Sequence, residues 1–191
     1  MPPHPLESTT SPLPASIRIV FRTWRREDEA LALQAWGDPR VTRFILAEPY
    51  TETQVRERLE QETQRQVTHG MQYWPIFLRV SGDFVGCCGL RPRPSPGVLE
   101  LGFLLRPKYW GKGLASEAAQ AAVAHGFAAL GAGALFAGHH PKNDGSRCVL
   151  LKLGFRPTHL EFYPPTGLQH PSYLLTREDF QGPTAPRPKF P

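Results

Sequence analysis

Between Ile17 and Phe180 the spacing of apolar and polar residues changes period several times. Ile17–Phe21 alternates and is rich in branched side chains, which predicts a strand. From Glu27 to Trp36, Ala30, Leu31, Leu33 and Ala35 predict a helical segment that halts at Gly37-Asp38-Pro39. Thr51 and Gln54 have the spacing of a capping box and open a polar helix to about Thr68, with Gly70 beyond its end. Its apolar positions, Val55, Leu59 and Val67, are too few for a deep face, so this helix is expected on the surface.

A run of strands follows. Pro75–Val80 and Phe84–Leu90 flank Ser81-Gly82-Asp83 as a hairpin, and Arg91–Gly97, with three prolines, is a loop. Val98–Leu105 is almost unbroken in its apolar character, which predicts a strand covered on both faces. Ala115, Ala118, Ala119, Ala122, Val123, Phe127 and Leu130 then recur at helical steps until Gly131. Ala134–Gly138 reads as a short buried strand, and Asp144–Leu153 as a helix with Val149, Leu150 and Leu153 inward. Leu160–Tyr163 and Ser172–Leu175 are final strands, split by a Pro164-Pro165-Thr166-Gly167 turn. This order predicts an α/β (α+β) domain with a mixed sheet.

At 191 residues and 40% hydrophobic content the chain supports one core. The proline-rich ends, residues 1–16 and 181–191, are expected to be tails around a domain spanning 17–180. Lysine and arginine outnumber aspartate and glutamate by 22 to 17, giving a net charge of +5 without any basic run. Nucleic-acid binding therefore gains little support, whereas a polyanionic small ligand suits a mild positive field. Cys87 and Cys88 are adjacent and Cys148 stands alone, which fits neither a disulfide framework nor a zinc pair. All three are expected as reduced, buried thiols of a cytoplasmic protein, with neither a signal peptide nor a membrane span.

The segment richest in chemistry is Arg106-Pro107-Lys108-Tyr109-Trp110-Gly111-Lys112-Gly113-Leu114-Ala115, which follows a buried strand and opens a helix. Two glycines let the backbone turn and expose consecutive amide donors, and the helix dipole adds to the attraction for a phosphate. One such dipole contributes only about 0.3–1 kcal/mol when exposed, so several amides must act together. Lys108 and Lys112 add charge. A lone Gly-x-Gly also fits a tight turn with no ligand; the third glycine of a dinucleotide fingerprint and the Gly-Lys-Ser/Thr of a Walker loop are both missing.

The wider pattern joins this turn to Ala134–Gly138, His140-Pro141-Lys142-Asn143-Asp144-Gly145-Ser146 and Leu153-Gly154-Phe155. In combination it resembles the core of the GNAT acetyltransferases, most of all the branch containing the ribosomal-protein N-terminal acetyltransferases. The resemblance is strongest from Glu100 to Phe155 and extends more weakly to Phe21-Arg22, Glu27-Asp28 and Asp38-Pro39. It implies a central, mostly antiparallel mixed sheet with helices on both faces and a splay between the fourth and fifth strands. It also implies acetyl-CoA as co-substrate, an amine acceptor (a peptide N-terminus or a small molecule), no metal, and a monomer or homodimer. On this basis the amides from Trp110 through Gly111, Lys112, Gly113 and Leu114 to Ala115 hold the coenzyme pyrophosphate. The backbone of Phe103, Leu104 and Leu105 pairs with the pantetheine, and Asn143 and Ser146 contact that arm near the thioester. Lys108 departs from the glutamine or arginine usual at its place, which makes that contact weaker or purely electrostatic.

Amine acetylation needs a neutral nucleophile, so a carboxylate base is useful. Glu100 stands in an otherwise apolar strand just before the turn and is the candidate; pairing with Arg91 or Arg93 is the competing reading. Ser146 has two readings, protonating the thiolate or binding the coenzyme, and the second needs less special chemistry. Tyr163 and Tyr173 are candidate substitutes for an acid, although packing explains them as well. His139 and His140 lack a third metal ligand other than Cys148 and are read as a polar loop pair. A coenzyme-binding module without catalysis, serving regulation or scaffolding, has the same fold and stays open as the alternative.

Overall fold

The computed structural model describes residues 13–181; most of the two proline-rich ends lies outside the described residues. Leu13 rests against the core, and the Ser16 hydroxyl donates to Glu117 at 2.5 Å.

Seven strands form one sheet: β1 (Ile19–Phe21), β2 (Tyr73–Leu78), β3 (Phe84–Pro92), β4 (Val98–Leu105), β5 (Ala134–Gly138), β6 (Arg156–Tyr163) and β7 (Leu168–Thr176). Their order is β1-β2-β3-β4-β5-β7-β6, and every pairing is antiparallel except β4 with β5. The helices are α1 (Glu29–Ala32), α2 (Pro39–Thr42), α3 (Glu52–His69), α4 (Leu114–Ala128), α5 (Asp144–Lys152) and α6 (Arg177–Gln181).

They cover both faces of the sheet. On one face α4 and α5 bury Ala118, Ala119, Ala122, Val123, Val149 and Leu150 against Leu90, Leu101 and Leu135. The small side chains of α4 let it lie close to the sheet: a Cβ at Gly126 would come within 2.9 Å of Leu90 Cδ1. On the other face Trp24, Ala32, Ala35, Trp36, Val55 and Leu59 pack against Phe84 and Cys87.

Several expectations need correction. The helix expected over Glu27–Trp36 is broken into a 3-10 turn at Arg26–Asp28, α1, and a π turn at Leu33–Gly37 that brings both Ala35 and Trp36 into the core. Asp38-Pro39 starts α2 rather than only stopping what precedes it, because the Asp38 carboxylate caps the Arg40 amide at 2.9 Å. The capping box of α3 forms at Thr51 and Gln54, and Gly70 closes the helix in the left-handed conformation. Val55 and Leu59 are buried but Val67 is 80% exposed, and the inner face is completed by Glu62. Along β4, Leu99, Leu101 and Leu105 are buried, whereas Glu100, Gly102 and Leu104 are only partly so, because that second face lines a cavity. Cys87 and Cys88 are buried, but Cys148 lies on the outer face of α5 and is exposed.

Candidate active site

The parallel pairing of β4 and β5 covers only Val98–Glu100 against Ala134–Phe136. Beyond Glu100 the two strands part, while β4 keeps its pairing with β3 as far as Leu105 opposite Gly86. The opened edge can be assigned residue by residue. The Val98 carbonyl accepts from Arg93 and the Arg106 amide donates to Val85, so even-numbered peptide groups face β3. The Gly97 carbonyl accepts from Gly133 on the β5 side at 2.8 Å, so odd-numbered groups, those of Phe103 and Leu105 included, face the gap.

This narrows the expected pantetheine contact. Leu104 turns its peptide groups towards β3, and the Leu105 carbonyl accepts a hydrogen bond from the Trp110 indole at 2.6 Å. The Phe103 N–H and C=O and the Leu105 N–H remain for an added strand-like partner.

After β4 the chain makes a short 3-10 turn, Pro107–Tyr109, and reaches Gly111 and Gly113 at φ of 72° and 74°. These left-handed values favour glycine and place Gly113 at the N-cap of α4 without a side-chain cap. The Trp110 amide donates to Pro107, which removes it from the expected donor set. From Gly111 to Ala115 no amide has a backbone acceptor among the described residues. Lys108 and Lys112 stand exposed beside them, and Trp110 is 43% exposed with the Arg43 guanidinium 5.2 Å from its ring. Such a row of donors at the start of a 15-residue helix suits a pyrophosphate.

A cavity of about 350 Å³ passes through the gap. Phe103, Asn143, Ser146 and Leu150 line it on the α5 side. Asn143 caps α5, its Oδ1 accepting from the Ser146 amide at 3.1 Å, which leaves its NH2 group and the Ser146 hydroxyl without protein partners among the described residues. The other end is lined by Tyr73, Glu100, Glu161, Tyr163 and His170, with Phe44 from the segment after α2. That segment meets the β6–β7 turn through the Ala47 amide and the Pro165 carbonyl, 2.9 Å apart.

Glu100 projects into this cavity with one oxygen 3.2 Å from the Tyr73 hydroxyl and the other 3.4 Å from Arg93. Arg93 also reaches Glu161 at 2.9 Å and lies over the Phe136 ring. Burial raises the Glu100 carboxyl above the usual carboxylate range, with Glu161 adding to the rise; Arg93 and the Tyr73 hydroxyl only partly offset it. Glu100 therefore faces the cavity and is also paired with an arginine, Arg93. Arg91 goes elsewhere, to Glu62.

Histidine places are also fixed. His139 Nδ1 donates to the His140 carbonyl at 2.8 Å, and its Nε2 lies 3.1 Å from the Tyr173 hydroxyl. Burial holds His140 and His170 below the usual imidazole range, so both line the cavity in neutral form at pH 7. Among the described residues no group of three or more histidine, cysteine or acidic side chains is placed to hold a metal ion, and Cys148 does not join His139 and His140. Tyr173 is occupied by His139, and the Tyr163 ring packs tilted against His170 with centroids 4.6 Å apart. Sequence reasoning missed Tyr73 and Glu161; alternation along β2 and β6 was the only signal for either.

A parallel strand pair that parts beyond Glu100 and a donor-rich helix start are the features that the resemblance to the acetyltransferases implies. The comparisons agree. The family model described as "Acetyltransferase (GNAT) domain" matches residues 18–156, and the chain belongs to the GNAT acetyltransferases, a family that uses acetyl-CoA. It is 29% identical to "Uncharacterized N-acetyltransferase p20" of Bacillus licheniformis over 73% of this chain and 79% of that protein. Among solved structures it is similar to a GNAT-family acetyltransferase from Bacillus anthracis, with a TM-score of 0.75 and 23% identity over 86% of this chain and 98% of the other. It is also similar to Mycobacterium smegmatis RimJ in complex with CoA-disulfide, with a TM-score of 0.74 and 20% identity over 90% of each chain. At these identities the structural likeness carries the fold alone. No helix of the described residues is long and apolar enough to cross a membrane.

Proposed function

We propose that this chain moves an acetyl group from acetyl-CoA directly to a primary amine held in the same cavity, with Glu100 as the base. The observation that carries this reading is the cavity at the β4–β5 gap, which brings the free peptide groups of Phe103 and the side chains of Asn143 and Ser146 together with a half-buried, ionisable Glu100.

In this reading the amides of Gly111 through Ala115 hold the pyrophosphate, with Lys108 and Lys112 adding charge. Phe103 and the Leu105 N–H align the pantetheine, while Asn143 and Ser146 hold the arm near the thioester. Glu100 takes a proton from the acceptor ammonium, directly or through water; the amine then attacks the thioester carbon, and the C–S bond breaks as the amide forms. The proton lost by the new amide nitrogen balances the one gained by the departing thiolate, and the Ser146 hydroxyl is available to pass it. A raised carboxyl suits this task, because a base works best when its protonation equilibrium lies near the working pH. The acceptor, a peptide N-terminus or a small amine, enters from the end lined by Tyr163 and His170.

The Arg93–Glu100 pair favours one second reading, a coenzyme-binding module without catalysis. One experiment separates the two: acetyl-CoA-dependent acetylation of a panel of peptides and small amines by the wild type and by Glu100→Gln. Transfer by the wild type that falls about 10²–10⁴-fold in the variant, with acetyl-CoA affinity kept, supports the base. Equal rates in both proteins rule Glu100 out as the base, and no transfer by either leaves the binding module.

A further inference from the structure

Tyr73 is unusually constrained for a residue on a cavity wall. Its ring lies against the β4 backbone where Gly102 has no side chain; a Cβ there would come within 2.3 Å of Tyr73 Cζ. The Arg91 guanidinium covers the ring, 3.7 Å from its centroid. Its backbone N–H donates to Glu62 Oε2 at 2.9 Å, and Glu62 is fully buried and binds Arg91 as well. A buried carboxylate is costly unless paired and hydrogen-bonded; this one is paired with Arg58, Arg65 and Arg91, and it holds both the Tyr73 backbone and the arginine that covers the Tyr73 ring. The Tyr73 hydroxyl, so held, donates to Glu100.

We propose that Tyr73 is the positioning residue for the Glu100 carboxylate, its hydroxyl holding the base in place. The proposal rests on the reading of Glu100 as base. Burial and the neighbouring Glu100 charge keep the Tyr73 phenol protonated far above neutral pH, so it remains a donor whenever Glu100 is ionised. The other charged or titratable groups around Glu100 are Arg93, just past the end of β3, Arg91, which is paired opposite Glu100 on β3, and Glu161 and Tyr163 on β6. His139, His140 and His170 line the same cavity.

The test follows the carboxyl carbon of Glu100 by 13C NMR through a pH titration, assigned by its loss in Glu100→Gln. No acceptor is needed for this readout. Tyr73→Phe removes a donor to the charged form, so the Glu100 midpoint rises by about one pH unit. Fluorotyrosine introduced at position 73 keeps the ring and is a stronger donor, so the midpoint falls, which covers the case in which the phenylalanine variant does not fold. On an amine accepted by the wild type, the acid limb of kcat/KM moves with the midpoint in each variant, and kcat changes more than KM. A midpoint that moves in neither folded variant overturns the proposal. Failure of the acetyltransferase reading is distinguishable, because it shows as absent transfer by the wild type and leaves the midpoints where they are.

Discussion

The Trp110 indole donates to the Leu105 carbonyl at 2.6 Å, closing the end of the β4 edge that would receive a coenzyme arm. One hydrogen bond thereby ties the loop before α4 to the strand. It also fixes how many peptide groups the gap offers.

Trp110→Phe keeps a ring beneath Arg43 but removes that donor. The Leu105 carbonyl then loses its partner and the loop its anchor to β4. Acetyl-CoA affinity is expected to fall about fivefold, equivalent to about 1 kcal/mol. Calorimetric titration of both proteins checks this, and unchanged affinity would mean that the loop keeps its shape without the bond.

Removing Glu62 should cost stability rather than coenzyme binding. Its carboxylate serves Arg65 at 3.1 Å, Arg91 and the Tyr73 amide, and Arg58 lies 3.1 Å away. Glu62→Ala leaves these cations gathered without their counter-charge, and a loss of about 3–5 kcal/mol is expected in urea unfolding. A loss below about 1 kcal/mol would show that the arginines regain water freely.

The rise of the Glu100 carboxyl has a definite sign in kinetics. A base whose folded-state value is raised stays protonated, and idle, over more of the acid range. The kcat/KM of transfer should therefore climb with pH through a limb above the ordinary glutamate range, then level off. Replacing Glu161 with Gln removes a neighbouring negative charge that adds to the rise, and should move the limb to lower pH. A pH–rate profile on any accepted amine measures both effects.

Much of this was legible in the sequence where the signals are local. Val98–Leu105 and Ala134–Gly138 have the bounds expected from their apolar runs, and Thr51, Gln54 and Gly70 mark the ends of α3 through backbone chemistry that needs no tertiary partner. The splay came from resemblance, since no periodicity reports where two strands part. Glu62 reads as one more charge on a polar helix; its burial depends on Arg91, 29 residues away. Tyr73 likewise gains its meaning from Glu100, 27 residues on. Cys148 was misplaced because a short helix with Val149 and Leu150 inward turns its immediate neighbour outward.

The central claim is that the Gly111–Ala115 amides and the open β4 edge form an acetyl-CoA site. Calorimetric titration with acetyl-CoA of the wild type beside the Gly111→Asp/Gly113→Asp double variant, each checked for folding by circular dichroism, tests it most directly. Saturable binding by the wild type, lost in a folded variant whose carboxylates repel the pyrophosphate, is the predicted result. A folded wild type that does not bind acetyl-CoA, or a folded variant that binds it equally well, would contradict the account.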